Sequence, residues 1–312
     1  HDVESIYLVP DALREAGIDR EVLGILDIHD RVDQRREDQE RDRWRNFVNK
    51  IGRGKKDITL AVTGKYTSLR DAYASILKAC EHCSVQLGVN VQLRWLDTTL
   101  IDDTSVAKRL DDVHGIIVPG GFGIRGTEGK IACIKYAREN RMPYLGLCLG
   151  FQMAVIEYAR NVCGLEGANS TEFDPKCVHP VIDILPEQKK IEGLGGNMRL
   201  GGKDVELTPG SFAAELFGNV PTTRLRFRHR YEVDPKYIPT LTEHGMVFSG
   251  KHPTQPIMQI LELPRSVHPF FVGTQAHPEL TSRPLRPSPL FMGLVKAATD
   301  FAERPQKLAQ PV

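Results

Sequence analysis

Apolar residues alternate between short runs and helical stripes from about residue 57 onward. Ile58–Thr63 is rich in β-branched residues, which is typical of a buried parallel strand. Apolar residues then recur with a helical period between Leu69 and Leu87, and Gly88 is a suitable end for that helix. The same pattern continues along the chain, predicting strands at 91–96, 115–118 and 144–147 and helices at 128–140 and 149–160.

This alternation predicts an α/β fold with an open, mostly parallel central sheet flanked by helices. Between residues 173 and 275, short β signals and turns are more frequent, so we expect an extra β-rich segment there. A strand at 270–275 and a final helix near 288–301 complete the predicted compact domain, which spans residues 57–303. Residues 304–312 are expected to form a C-terminal tail.

The first 56 residues differ in composition from the rest of the chain. Between Asp30 and Arg45, 12 of 16 residues are charged, with both signs present, which predicts a solvent-exposed helix. Gly52–Lys56 contains two glycines and predicts a flexible connection. Residues 1–56 are therefore interpreted as a linker together with the end of another domain.

Composition and charge argue against several classes of protein. The 312 residues include 41 Lys and Arg against 40 Asp and Glu, a balance that gives no indication of a nucleic-acid or membrane partner. No apolar run approaches the roughly 18 residues that span a bilayer, and the acidic start, with Asp2 and Glu4, does not resemble a signal peptide. Six cysteines are too few for a disulfide scaffold, so we expect reduced thiols and a cytoplasmic protein.

Cys148 is the strongest candidate for a catalytic residue. It lies between a predicted strand and a predicted helix, with Gly146 and Gly150 two residues away on either side. Small neighbours permit the sharp turn that exposes the nucleophile of Gly-x-Ser-x-Gly hydrolases. At a helix N-terminus the dipole favours a thiolate, and the free N–H groups, beginning with Leu149, can stabilise an oxyanion. The alternative is a buried structural cysteine that packs as a small apolar side chain.

A cysteine nucleophile needs a base, and the base needs a group that orients it. Among ten histidines, His277 has the most suggestive setting, because the predicted strand 270–275 leads directly into Ala276-His277-Pro278-Glu279. Open α/β sheets place their active sites at the carboxyl ends of their strands, where this imidazole and the Glu279 carboxylate would lie. The alternative is an ordinary surface turn.

A glycine-rich loop at residues 119–126 follows the predicted strand 115–118. Its Gly-x-Gly-x-x-Gly pattern formally matches a dinucleotide-binding fingerprint. The loop follows the third strand rather than the first, and no acidic residue for a ribose lies about 20 residues later, so this interpretation is weak. Beside the Cys148 turn, such a loop can instead present a second backbone N–H to an oxyanion.

Pro-Gly-Gly-Phe-Gly, Gly-x-Cys-x-Gly-x-Gln and His-Pro-Glu occur in this order, and in this respect the chain resembles the class I, triad-type glutamine amidotransferases. Other segments resemble the glutaminase domain of the CTP synthase family, and the resemblance covers about residues 57–300. These segments are Gly64–Tyr66, Leu69–Tyr73, Gly120–Gly126, Ser170–Phe173, Gly195–Gly201 and Arg228–Val233. The resemblance implies a flavodoxin-like sheet. One departure is Ala276, where the family has Phe.

The resemblance also implies roles for individual residues. It makes Cys148 the nucleophile, His277 the base and Glu279 the residue that orients the base. It implies that the oxyanion N–H groups belong to Gly121 and Leu149. The implied contacts to glutamine are Gly121, Leu149, Gln152, Glu172 and Arg230, and the region that responds to GTP includes Phe122 and Arg125.

The function implied by the resemblance is hydrolysis of the side-chain amide of L-glutamine to glutamate and ammonia through a cysteine thioester. This step needs no cofactor or metal. In the family, a synthase domain of the same polypeptide then uses ATP and Mg²⁺ to aminate UTP to CTP, and GTP is an allosteric activator. The implied partners are L-glutamine, that synthase domain and further copies of the chain, since the family forms tetramers through the synthase domain.

Two alternative functions stay open at this stage. One is a glutaminase subunit that serves a different synthase, and the other is a non-catalytic module that binds glutamine or a nucleotide. The chain contains no Gly-x-x-x-x-Gly-Lys-Ser/Thr motif, so we do not expect it to include the ATP-using half of a CTP synthase.

Two further patterns have competing interpretations. Arginines at positions 224, 226, 228 and 230 alternate, so they share one face of a predicted strand, which is either solvated or an anion site. The resemblance favours Arg230 as a ligand of the glutamine carboxylate. Cys80 and Cys83 have the spacing of half a metal site, but their helical period favours packing in the core, and no metal site is predicted.

Overall fold

The computed structural model describes Val3 and residues 5–64, 70–184 and 198–304. Residues 65–66, 69 and 195–197, which belong to three of the motif segments, and the predicted tail beyond Arg304 lie outside this part of the chain. The strands are β1 (Asp57–Gly64), β2 (Asn90–Asp97), β3 (Gly115–Val118), β4 (Tyr144–Leu147), β5 (Ala168–Ser170), β6 (His179–Asp183), β7 (Arg199–Leu207), β8 (Thr222–His229), β9 (Glu232–Val233), β10 (Val247–Lys251), β11 (Met258–Glu262) and β12 (Phe271–Thr274). The α-helices are α1 (Val9–Glu15), α2 (Ile18–Leu26), α3 (Gln34–Val48), α4 (Ala74–Leu87), α5 (Val106–Arg109), α6 (Thr127–Glu139), α7 (Leu149–Asn161), α8 (Phe212–Leu216), α9 (Ile238–Glu243) and α10 (Pro289–Ala302).

The central sheet has a parallel half and an antiparallel half. Its strands lie in the order β2-β1-β3-β4-β12-β11-β10-β7-β8. The first five pair in parallel with one another, and the last four continue the sheet from β12 in antiparallel pairs. A smaller sheet contains β5, β6 and β9. The predicted α/β fold is confirmed, and the predicted β-rich segment supplies both the antiparallel extension and most of the small sheet.

Side chains of the central strands alternate between two apolar cores, one on each face of the sheet. In β3, Ile116 and Val118 belong to one core and Ile117 to the other, as the two-residue period of a strand requires. Helices α6 and α7 cover the first core, whereas α4 and α10 cover the second. Burial on both faces explains why β3 and β4 are continuous apolar runs.

The boundaries of the predicted helices are close to those observed, with one difference at the start of α4. Residues Arg70–Tyr73 form a 3-10 turn, and Tyr73 adopts φ −118° and ψ 17°, which is not helical. The α-helix therefore begins at Ala74 and ends before Gly88, whose φ is +67°. None of the helices in the described ranges is long and apolar enough to cross a membrane.

The N-terminal 56 residues are mostly helical and pack against the compact domain. Tyr7 and Phe47 form a small apolar cluster with Val85 of α4. The Tyr7 hydroxyl lies 3.0 Å from His82 Nε2, whose Nδ1 lies 3.0 Å from Ser282 Oγ. The chain therefore makes both apolar and polar contacts across the predicted boundary at residue 57, and the boundary itself stays a prediction.

Within this N-terminal part, the predicted charged helix is confirmed and the predicted flexible connection is not. The charged stretch forms α3, where Arg41 pairs with Glu37 at 2.6 Å and with Asp38 at 3.1 Å. The connection at Gly54 is instead held in place, because Asn90 accepts from its N–H at 2.8 Å and donates to its carbonyl at 3.1 Å. A side chain 36 residues away supplies both bonds, which the local glycine pattern does not indicate.

Candidate active site

Three neighbouring parallel strands end at the same edge of the sheet, and each leads into a predicted site segment. β3 is followed by the glycine-rich loop 119–126, β4 by Cys148, and β12 by the segment that contains His277. β4 pairs in parallel with β3 on one side and with β12 on the other, where Leu147 is opposite Thr274. Because parallel strands share the direction of their carboxyl ends, this topology brings the three segments together.

Cys148 occupies the sharp turn between β4 and α7. Its backbone has φ 50° and ψ −100°, and it precedes the first residue of the helix. The Cys148 N–H donates to the carbonyl of Thr274 at 2.8 Å, which ties the turn to β12. A non-glycine residue with positive φ costs of order 1–3 kcal/mol, so the surrounding structure must impose this conformation.

The two glycines beside Cys148 allow α7 to approach both β3 and β4 closely. A Cβ on Gly150 would collide with the Val118 carbonyl, and one on Gly146 would lie 2.8 Å from the carbonyl carbon of Gly150. The hydroxyl of Tyr144 donates to the Gly150 carbonyl at 2.8 Å and fixes the first helical turn. The glycine pattern around Cys148 therefore has a steric cause in the packing of strand against helix.

His277 is held by Glu279, two residues later. Its Nδ1 lies 2.7 Å from Glu279 Oε1, and the Glu279 side chain is buried. The His277 N–H donates to the carbonyl of Arg226 in β8 at 2.7 Å, and Pro278 begins a short 3-10 turn. Ala276 is completely buried in the second core, so the position where the family has Phe is filled by close packing around a small side chain.

The neighbours of His277 determine its charge. Burial by itself lowers its pKa, but hydrogen bonds with Cys148 and Glu279 and the charges of these two groups raise the pKa of His277 to about 10. The imidazole is therefore protonated at neutral pH, when it interacts with Cys148 and Glu279 together. An imidazolium beside a cysteine favours the thiolate form of that cysteine.

A cleft of about 300 Å³ lies over these residues. Of the predicted site residues, it is lined by Gly121, Phe122, Cys148, His277 and Glu279. Its wall also contains residues that the sequence analysis did not assign to the glutamine site, namely Tyr73, Ser75, Ile76, Gly120, Arg228 and Leu280. The side of the cleft that α4 forms is brought next to Cys148 only by tertiary packing. No sequence motif links α4 with the Cys148 turn.

The glycine-rich loop is fixed at two points. Gly121 lies against Leu149, since a Cβ on Gly121 would be 3.4 Å from Leu149 Cδ2. The N–H of Gly123 donates to Glu172 Oε1 at 2.9 Å. The two residues predicted to provide oxyanion N–H groups are thus neighbours, and Glu172, predicted to contact glutamine, is hydrogen-bonded to the same loop.

Residues 68–297 match the family model described as Glutamine amidotransferase class-I. The chain belongs to the class I glutamine amidotransferase family. It is 50% identical to a CTP synthase of Natronomonas pharaonis over 97% of this chain and 53% of that protein. It is 46% identical to a CTP synthase of Methanopyrus kandleri over 96% of this chain and 54% of that protein. The chain thus spans about half the length of these curated relatives.

A solved structure extends the comparison to three dimensions. The glutaminase domain of a CTPS from Trypanosoma brucei, with acivicin bound, superimposes with a TM-score of 0.72 at 35% sequence identity. The match covers 78% of this chain and 94% of that domain. The resemblance inferred from the motifs is therefore confirmed, both for the class I amidotransferase family and for its similarity to a CTPS glutaminase domain.

The remaining predicted glutamine contacts of this class I amidotransferase, Gln152 and Arg230, are not among the residues that line the cleft. Gln152 is on α7 and is buried, and its Nε2 donates to the Tyr231 carbonyl at 2.9 Å and to Gln275 Oε1 at 3.1 Å. Both hydrogens of that amide nitrogen are used, so its oxygen is the atom available to a ligand. Arg230 follows the end of β8 and is partly buried.

The prediction that four alternating arginines share one strand face is confirmed for three of them and is wrong for Arg230. Arg224, Arg226 and Arg228 are exposed on one face of β8, whereas Leu225 and Phe227 are buried on the other. Arg224 pairs with Asp204 of β7 at 2.9 Å, and Arg228 lines the cleft. Arg230 lies beyond the strand, so it does not extend this row.

Cys80 and Cys83 are core residues of α4, as their helical period predicts. Both are buried, and burial raises the pKa of both thiols, that of Cys80 to about 12. His82 between them faces Tyr7 and Ser282 instead. In the described ranges, no group of three or more His, Cys, Asp or Glu side chains is arranged to hold a metal ion.

Proposed function

We propose that this chain hydrolyses the side-chain amide of L-glutamine, with Cys148 as nucleophile, His277 as general acid and base, and Glu279 as the residue that orients the imidazole. The observation that carries the proposal is the position of Cys148 in a strained turn at the start of α7, lining one cleft together with an imidazole that Glu279 holds at 2.7 Å. A nucleophile, a base and an orienting carboxylate in this arrangement form a triad.

In the proposed first step, the Cys148 thiolate attacks the side-chain carbonyl carbon of glutamine. The negative charge that develops on oxygen is received by the backbone N–H groups of Gly121 and Leu149, two residues that are neighbours in the structure. The His277 imidazolium gives its proton to the leaving nitrogen, the C–N bond breaks, and ammonia departs from a γ-glutamyl thioester. Glu279 keeps the imidazole oriented and stabilises its charge.

In the second step, a water molecule attacks the thioester while the now neutral imidazole of His277 accepts its proton. The same N–H groups receive the charge of the second tetrahedral intermediate. Collapse of that intermediate breaks the C–S bond and releases glutamate and the Cys148 thiolate, beside the restored imidazolium. The net reaction consumes one glutamine and one water and forms one glutamate and one ammonia.

The charged groups around the cleft suit the two charged ends of an amino acid. We propose that the Glu172 carboxylate binds the ammonium group of glutamine and that Arg230 binds the carboxylate of glutamine. In this proposal, Gln152 Oε1 accepts a hydrogen bond from one further donor of the substrate. The bond from Gly123 N–H to Glu172 Oε1 places this carboxylate against the glycine-rich loop, next to Gly121. Arginine has a planar fork of donors that matches a carboxylate.

We further propose that the ammonia serves the amination of UTP to CTP in a longer enzyme. The CTP synthases named above are about 50% identical to this chain and nearly twice its length, which supports a synthase domain that uses ATP and Mg²⁺. In this proposal, residues 1–56 connect the two domains, residues 57–303 form the glutaminase domain, the enzyme is a cytoplasmic homo-oligomer, and residues 304–312 form a tail.

GTP is proposed to act near the glycine-rich loop. Phe122 is 56% exposed and Arg125 is also exposed, so an aromatic face and a guanidinium are both presented to solvent on this loop. A ring can stack on a purine base and a guanidinium can bind phosphate, so the chemistry of these two side chains fits a nucleotide. The loop also contains Gly121, which would couple nucleotide binding to the oxyanion site.

The proposed glutaminase reaction is tested by incubating the chain with L-glutamine and measuring glutamate and ammonia. We expect equal amounts of both products, and an acid quench should trap a γ-glutamyl adduct on the peptide that contains Cys148. L-asparagine, one methylene shorter, is the control substrate and should react much more slowly. Binding of glutamine without any product or adduct would favour the alternative of a non-catalytic module.

We predict that the chain does not make CTP from UTP, ATP and free ammonia. The sequence lacks a Gly-x-x-x-x-Gly-Lys-Ser/Thr phosphate loop, so nothing in it is expected to activate the uracil oxygen. Nucleotide analysis by ion-pair chromatography after overnight incubation with Mg²⁺ provides the measurement. Formation of CTP by the purified chain would contradict the division of the enzyme into two domains.

A further inference from the structure

Gln275 is buried next to the proposed nucleophile, although the sequence motifs assign it no role. Its side chain has no exposed surface, and its Nε2 donates to Cys148 Sγ at 3.6 Å. A hydrogen bond to sulfur is longer than one to oxygen, so this distance is within the range of a direct contact. Gln275 comes between the end of β12 and His277, so it lies in the same segment as the proposed base.

The direction of this hydrogen bond is fixed by a backbone carbonyl. Gln152 donates through Nε2 to the carbonyl of Tyr231 at 2.9 Å, and a carbonyl can only accept. The same nitrogen donates to the oxygen of the Gln275 amide at 3.1 Å. The Gln275 amide therefore cannot flip without losing that bond, and its NH₂ group must face the sulfur.

We propose that Gln275 is a catalytic residue that stabilises the Cys148 thiolate by donating an N–H to its sulfur, with Gln152 as the positioning residue that fixes the Gln275 amide. This inference rests on the proposed glutaminase function and deepens it. A thiolate is a much better acceptor than a thioester sulfur, so the bond is strongest in the free enzyme and when the C–S bond breaks. Gln275 therefore supports release of the thiolate in the second step.

The N–H of Gln275 acts together with the His277 imidazolium. In the second step the thiolate leaves after His277 has accepted the proton of water, so the sulfur faces both the imidazolium and the Gln275 N–H. The Gln275 amide does not titrate, so its N–H faces the sulfur throughout the cycle. A purely structural role for Gln275 would leave the reactivity of the sulfur unchanged.

The experiment measures the rate of Cys148 alkylation by iodoacetamide as a function of pH, with Gln275→Met as the main variant. Methionine keeps the length of the side chain but removes the donor. We expect the pH of the half-maximal rate to rise by at least about one pH unit, because the thiolate loses a charge-assisted hydrogen bond. We also expect kcat for glutamine to fall by about 10- to 100-fold, with little change in KM.

Two comparison variants separate this role from a packing effect. Gln259→Met replaces another buried glutamine, on the neighbouring strand β11, and its labelling profile should be that of the unmodified protein. Gln152→Met removes the donor that holds the Gln275 amide, so its profile should shift in the same direction as that of Gln275→Met, by a smaller amount. Circular dichroism reports whether each variant is folded.

A folded Gln275→Met protein with an unshifted labelling profile would overturn the proposal. If that variant does not fold, an unshifted profile for Gln152→Met would do so instead. The proposed function fails separately, because iodoacetamide labelling does not require glutamine turnover. If the labelling profile shifts in a chain that releases no glutamate, the contact between Gln275 and the thiolate is supported and the proposed glutaminase reaction is contradicted.

Discussion

Replacing Cys148 with alanine is expected to reduce glutamate release from glutamine by at least about 10⁴-fold. The change removes the nucleophile and so the thioester route, and what remains is the smaller effect of binding and of the oxyanion N–H groups. The fold should be retained, since alanine fits the space of the thiol and the bond from the residue 148 N–H to Thr274 is made by the backbone. A coupled glutamate assay measures the rate.

Cys163→Ala is the matched control for this variant. Cys163 is partly buried near the end of α7 and lies outside the cleft described above, so its loss should change the rate by less than about twofold. Circular dichroism and the unfolding temperature should be similar for the two variants. If the Cys148→Ala protein still released glutamate within tenfold of the original rate, another residue would be the nucleophile.

An electrophilic glutamine analogue, such as a diazo-ketone, is expected to modify Cys148 at least about 100-fold faster than the other five cysteines at pH 7. Burial raises the pKa of Cys133 to about 12 and that of Cys163 to about 11, and it also raises those of Cys80, Cys83 and Cys177. These thiols are protonated at pH 7 and react slowly, whereas the His277 imidazolium supports a thiolate at Cys148. Peptide mass mapping after timed quenching measures each site.

Two additional measurements test the cause of this selectivity. In His277→Ala, labelling of Cys148 at pH 7 should fall by at least about 10-fold, because the positive charge beside the sulfur is lost. Free L-glutamine should protect Cys148 by competing for the same contacts, which are proposed to include Glu172 and Arg230. Equal labelling of Cys80 or Cys83, or no protection by glutamine, would mean that the cleft does not bind glutamine.

The inner strands β3 and β4 of the parallel half were predictable because each is buried on both faces. Such strands are short apolar runs, and Gly115–Val118 and Tyr144–Leu147 have the same bounds in the sequence pattern and in the structure. The antiparallel half was predictable only as a β-rich region. Its strands have no common burial pattern, since β8 alternates between exposed and buried residues and β11 is almost entirely buried. The local pattern therefore does not specify which strand pairs with which.

The sequence by itself determined where Cys148, His277 and the glycine-rich loop lie along the chain. Each follows a strand, and the carboxyl ends of parallel strands share one edge of a sheet. The cause of Gly146 is local, since a Cβ there would meet the Tyr144 hydroxyl and the Gly150 backbone, whereas Gly150 is required by the close approach of Val118 in β3. The signals for these strands are local and periodic, and therefore a single sequence is enough to detect them.

The tertiary structure alone decided which groups surround the Cys148 sulfur and which side chain is hydrogen-bonded to the glycine-rich loop. The bond from Gln275 to Cys148 spans 127 positions, and that from Gly123 to Glu172 spans 49. The polar contact between Tyr7 and His82 and the hydrogen bond between Gly54 and Asn90 also join segments that share no periodicity in the sequence. Side-chain hydrogen bonds between distant segments depend on how whole elements pack, and no spacing along the chain encodes them.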